Sequence, residues 1–82
     1  MVFESENDWG PYETLFNAYN GYTVRITTKK GLADDVQILS GGKVATRVRL
    51  FTPEDAAGPR PETPSGRIVN VPYEDIAELL VY

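Results

Sequence analysis

The sequence predicts a small, mainly β domain: a barrel of five short strands with one α-helix near its N-terminus. Three observations predict it. The chain has 82 residues, the length of a single domain spanning 1–82. Segments 22–28 and 43–51 alternate apolar and polar residues with the period of a half-buried strand. The closing stretch 67–82 reads as an apolar strand, a polar turn opened by Pro72, and a second apolar strand. Pro72 marks the break because it has no N–H to give a ladder.

Taken in order, residues 1–8 read as a flexible terminus. Pro11 suits the first turn of a helix, with Asp8 or Gly10 as cap and Glu13 near the positive end of the dipole. Tyr12, Leu15, Phe16 and Tyr19 then form one apolar stripe, and Asn20-Gly21 ends the helix. At about ten residues it is marginal alone, so it must dock on the sheet. Tyr22, Val24 and Ile26 share one face of the first strand, opposite Thr23, Arg25 and Thr27. Lys29-Lys30-Gly31 is a tight turn into a second strand, 32–39, whose Ala33-Asp34-Asp35 segment is polar enough to bend or bulge. Gly41-Gly42 signals a two-residue hairpin into the third strand, 43–51. Residues 52–66 hold four prolines and two glycines, which forbid a packed strand and predict a long, exposed, mobile loop. The closing strand–turn–strand completes the five, with Glu74-Asp75 expected to cap the turn.

Composition excludes several chemistries. Cysteine and histidine are both absent. Disulfides, Cys/His zinc sites, Ser-His-Asp and Cys-His nucleophilic pairs and the usual general base near neutral pH are therefore unavailable. Asp34 and Asp35, adjacent on a strand, point to opposite faces and cannot jointly hold one ion without a bulge. No catalytic residue, metal site or cofactor is expected, and the chain reads as a non-enzyme. No apolar run nears the ~20 residues of a membrane span, and residues 1–20 lack the pattern of a signal peptide. Together with the absence of cysteine this suits a cytoplasmic protein.

The net charge of −4 conceals an acid–base–acid order along the chain. Glu4, Glu6, Asp8 and Glu13 surround Trp9 and Tyr12 without a base before residue 23. Aromatic anchors among charges are the anatomy of a protein interface, so Glu6, Asp8, Trp9, Tyr12 and Glu13 are candidates for binding a basic partner. Trp9 could equally cap the barrel's open end. Arg25, Arg47 and Arg49 lie on polar strand faces and Lys43 at a strand end, a pattern that could bind RNA through phosphate contacts and stacking. The overall negative charge weighs against it, and cross-strand pairing with carboxylates is the plainer account. Pro59-x-Pro61 and Pro61-x-x-Pro64 have polyproline-ligand spacing, or simply keep a variable loop soluble. Nothing in a single sequence fixes oligomeric state.

The order of helix, alternating strand, Lys-Gly turn, bent strand, hairpin and "VPYEDIAELLV" resembles the Sm-like fold, within the wider SH3-like class of small barrels. The RNA-binding signature is absent: the 40–43 loop has no Asp-x-Met-Asn-like motif, and Val71-Pro72-Tyr73 stands where an Arg-Gly pair is characteristic. A narrower similarity is to the Rof family of Rho-binding antiterminators, carried by "PYETLFNAYNGYTVRITTKKG". That resemblance implies transcription regulation, with Tyr12 and Glu13 on the family's Tyr-acid positions and transcription termination factor Rho as partner, its RNA-binding surface covered. Phe16 stands where an acid is common in that family, and the proline loop is longer.

Overall fold

The computed structural model describes residues 2–3, 11–59 and 61–82. Its elements are β1 (Val2–Phe3), α1 (Tyr12–Ala18), β2 (Thr23–Thr28), β3 (Ala33–Gly41), β4 (Ala45–Leu50), α2 (Pro53–Ala56), β5 (Ile68–Pro72), a 3-10 turn (Tyr73–Asp75) and β6 (Ile76–Val81). The strands form one antiparallel sheet in the order β1-β6-β2-β3-β4-β5. The fold is mainly β, as expected. Two details of the expected barrel change. Val2 and Phe3, assigned to a frayed terminus, pair with Leu80 and Leu79. And the sheet is open, since no β5–β6 ladder closes it among the described residues.

The sheet nevertheless curls strongly. β5 and β6 are four strand spacings apart, about 19 Å on a flat sheet. Only the three-residue 3-10 turn joins them, so Pro72 and Ile76 are at most about 14 Å apart. β5 and β6 must therefore bend toward each other, and the enclosed face becomes the core. Phe16, Val24, Ile26, Val36, Ile38, Val48, Tyr73, Ile76, Leu79 and Val81 fill it. Thr46 is the buried polar side chain, and its hydroxyl donates to Ser40 O at 2.9 Å, so no bond is left unmade.

The alternation predicted for β2 and β4 holds in the middle of both strands and fails at their ends: Tyr22 and Val44 share the parity of buried residues yet are exposed. The break in β3 lies away from Asp34-Asp35. Register is regular there and shifts between Ile38 and Ser40, where β3 crosses under the helix. The Lys-Gly turn is as expected, with Gly31 at φ 87° and its N–H bonded to Thr28 O.

The Gly41-Gly42 hairpin is not the two-residue turn that the dipeptide signals. β3 runs through Gly41, residues 42–44 make the connection, and neither glycine has positive φ. Gly41 is needed for a different reason: a Cβ there would sit 2.9 Å from Phe16 Cβ and 3.0 Å from Glu13 O. The bare backbone lets α1 lie directly on β3. Asn17 then acts like a strand partner, its Nδ2 donating to Gly41 O at 3.0 Å and its Oδ1 accepting from Gly41 N at 2.9 Å. At seven residues α1 is shorter than predicted, and this clamp supplies the docking that so short a helix requires.

The proline-rich segment 52–66 departs most from expectation. Instead of a free loop it opens with the helical turn α2, held by a capping box in which Thr52 Oγ1 accepts from Asp55 N and Asp55 Oδ2 accepts from Thr52 N. The same carboxylate accepts from Ser65 N and Ser65 Oγ at 2.9 Å, tying the two ends of the segment together. Gln37 Nε2 donates to Glu62 O and Arg49 Nη1 to Gly66 O, which fastens it to the sheet, and Pro64 is buried. Pro61-x-x-Pro64 is thus not presented as a free ligand, and Arg60 lies outside the described residues.

Asp55 also sets an acid dependence. Its hydrogen bonds from Ser65 and Thr52 hold the carboxyl below its ordinary value of 3.8. A depressed folded pKa contributes stability above the unfolded value, and that contribution is lost as pH falls through the folded one. Asp55→Asn is therefore expected to lower stability at neutral pH and to converge with wild type below about pH 4. Denaturant midpoints measured across that range check this. A constant gap down to the lowest pH would show that the charge is not involved.

Candidate functional site

The acidic-aromatic candidates divide between the described and undescribed parts of the chain. Glu6, Asp8 and Trp9 lie outside the described residues; Tyr12 and Glu13 occupy the first turn of α1. There Tyr12 packs its ring on Tyr73 (centroids 4.9 Å apart), and Phe16 stacks on Tyr73 from the core side at 5.4 Å. Tyr73 in turn joins two loops. Its N–H donates to Val44 O at 3.0 Å and its hydroxyl to Gly42 O at 2.7 Å, fixing the 42–44 turn against the 3-10 turn. Burial first, and then the charge of Glu13, push the Tyr73 hydroxyl above its ordinary pKa, so it stays a neutral donor.

These contacts leave a cleft of about 480 Å³ lined by Tyr12, Lys43, Val44, Ala45, Pro72, Tyr73 and Glu74. Its floor is apolar, and Val44 is 78% exposed on its wall. Glu74 and Lys43 are exposed among the lining residues, and Glu13 is an exposed acid on the adjoining turn of α1. Glu74 and Asp75 make no side-chain cap to the 3-10 turn, contrary to expectation. The turn's N-cap is Pro72 and it closes through backbone bonds, which leaves both carboxylates in solvent. Sequence reasoning missed Val44, Pro72 and Tyr73 as cleft residues. The available signal was an apolar residue following Gly41-Gly42-Lys43, in the very place where a turn should be polar.

No family model, curated protein or solved structure matches this chain.

The basic candidates are not brought together. Arg25 stands opposite Asp35 in register and its Nε donates to Asp35 Oδ1 at 3.0 Å; Tyr82 donates its hydroxyl to the same oxygen at 2.6 Å. The hydrogen bond and charge of Asp35 raise the already high pKa of the guanidinium, so Arg25 keeps its charge. Arg49 is half-buried beneath the fastened loop. Asp35 and Gln37 on β3 lie between Arg25 and the two β4 arginines, which interrupts any basic stripe. Arg47, exposed, and Lys43, in the turn, form no ion pair among the described residues. Asp34 and Asp35 point to opposite faces, as the strand period requires, and no three carboxylates converge among the described residues. No helix among the described residues is long and apolar enough to cross a membrane.

Proposed function

We propose that this chain is a non-catalytic, regulatory protein-interaction module on a small Sm-like or SH3-like barrel, which presents the Tyr12–Glu13 end of α1 and the adjoining cleft to a basic partner surface. One observation carries the reading: the open apolar cleft with Glu13 and Glu74 beside it, while two of the strand-face bases, Arg25 and Arg49, are engaged by Asp35 and Gly66 O. The exposed Val44, which shares the cleft with Tyr12 and Tyr73, is suited to an apolar anchor, and the acids beside it to Lys or Arg flanking that anchor. The strand order and the 3-10 turn joining β5 to β6, four strand positions away, support the small-barrel part. The resemblance to the Rof family makes Rho the first partner to test, with inhibition of termination through occlusion of its RNA-binding surface as the regulatory effect.

Titration of purified Rho with the fluorescently labelled chain tests the reading. Glu13→Lys and Val44→Asp are expected to weaken binding about tenfold each, and Lys43→Glu to strengthen it. Wild-type affinity in both weakening variants would remove the cleft as the interface. Arg47 and Lys43 keep an RNA-binding alternative in view. Micromolar binding of single-stranded RNA at physiological salt, abolished by Arg47→Glu, would replace the protein-binding reading with it.

A further inference from the structure

The enclosed face of the sheet has a second opening, away from α1. There Ile26, Val36, Leu50, Val69 and Val71 line most of a cavity of about 230 Å³, with Thr28 and the charged Asp34 and Arg67 completing the lining. Both charged residues are anchored through the backbone. Asp34 sits opposite Ile26 in the β2–β3 ladder, and the Arg67 carbonyl accepts from Leu50 N at 3.0 Å. Asp34 has the parity of Val36 and Ile38, so it belongs to the face that buries those residues. Neither the Asp34 nor the Arg67 side chain has a hydrogen-bond or ion-pair partner among the described residues, in contrast to those of Asp35 and Arg25 on the outer face.

An apolar pocket with one free anion and one free cation at its mouth is complementary to a small molecule that carries both charges at one end of an apolar body. The volume lies below the ~300–1,000 Å³ of pockets for drug-sized ligands, which limits the occupant to a few heavy atoms beyond the charged groups. A backbone-like segment within a longer chain lacks those charges, and a purely apolar molecule would leave both rim groups unused. We propose that this cavity binds a free apolar α-amino acid, with its carboxylate on Arg67, its ammonium on Asp34 and its aliphatic side chain against Val36, Leu50 and Val69. The site is separate from the Tyr12 cleft and independent of the reading given for it. A chain that regulates a partner through one surface would thereby carry a small-molecule site on another.

Titration with L-leucine, followed through the methyl resonances of Val36, Leu50, Val69 and Val71, tests this. Saturable shifts are expected, with a dissociation constant on the order of 1 mM. N-acetyl-leucine, which lacks the ammonium, and leucinamide, which lacks the carboxylate, are each expected to bind about tenfold more weakly. The variants make the assignment residue by residue. Asp34→Asn should lose affinity for leucine while binding N-acetyl-leucine as wild type does, and Arg67→Gln should do the same with leucinamide. Both residues are exposed, so neither change threatens the fold. The proposal is overturned by the absence of saturable shifts up to about 20 mM leucine, by equal binding of leucine and its two capped forms, or by shifts that follow protein concentration and so report a second copy in the cavity.

Discussion

Phe16→Ala is expected to cost about 4 kcal/mol and to bring the domain close to unfolding at room temperature. Phe16 is fully buried, is the largest of the fully buried side chains and is the buried residue of α1. Truncation removes its transfer free energy and leaves a cavity between the helix and Tyr73, whose ring lies 5.4 Å away. The surroundings cannot collapse to fill it. The helix already lies so close to Gly41 that a Cβ added there would stand 2.9 Å from Phe16 Cβ, and the Asn17 clamp holds the helix at a fixed height above β3. A domain of 82 residues at ~0.05–0.15 kcal/mol per residue holds roughly 4–12 kcal/mol in all, so one such loss removes a third or more of it. The denaturant midpoint measures the change. A drop of less than about 1 kcal/mol would mean that α1 contributes little to the core and that the Tyr12 cleft is not rigidly built.

Much of this arrangement is legible in the amino-acid order, and the part that is not has a common physical origin. The period-2 pattern locates β2 and β4 because each has one dry and one wet face, and the two closing strands follow from apolar runs on either side of the turn that Pro72 opens. The stripe Tyr12, Leu15, Phe16, Tyr19 identifies the face of α1 that docks. Contacts between distant segments leave no such trace. Asn17 reads as an ordinary polar position on a helix surface, yet it bonds the backbone of Gly41 twenty-four residues later. The proline content of 52–66 correctly denies a strand but says nothing of attachment. That depends on Asp55 meeting Ser65 and on Gln37 meeting Glu62. The Thr52-x-x-Asp55 spacing was the local clue to the helical turn. Charge order misleads in a similar way: Arg25 looks available until register sets Asp35 beside it. Val44, apolar by pattern and exposed in fact, shows the limit of alternation at a strand end, where curvature rather than parity decides which side chains are covered.

Gly66→Ala is expected to cost about 3 kcal/mol, lowering the melting temperature by about 12 to 24 °C at ~4–8 °C per kcal/mol. The reason is steric rather than conformational, because Gly66 does not have positive φ. A Cβ would stand 2.2 Å from Leu50 O and 2.8 Å from Leu50 C, both backbone atoms that no rotamer change can move aside. Relief requires the segment to lift from β4. That would stretch the Gly66 N–H bond to Leu50 O (2.9 Å) and the Leu50 N–H bond to Arg67 O (3.0 Å), and carry with it the Arg49 bond to Gly66 O. The lesion would spread in two directions. Toward the N-terminal side it strains the Asp55–Ser65 tie that closes the 52–66 segment. Toward the C-terminal side it displaces Arg67 from the rim of the second cavity. Backbone amide exchange distinguishes this from a general loss of packing: protection should fall first at Leu50 and Gly66 and persist at Val24 and Ile26 in β2. Uniform loss of protection across the sheet, or an unchanged melting temperature, would show that the 66–67 segment is not held on β4 in the way its hydrogen bonds require.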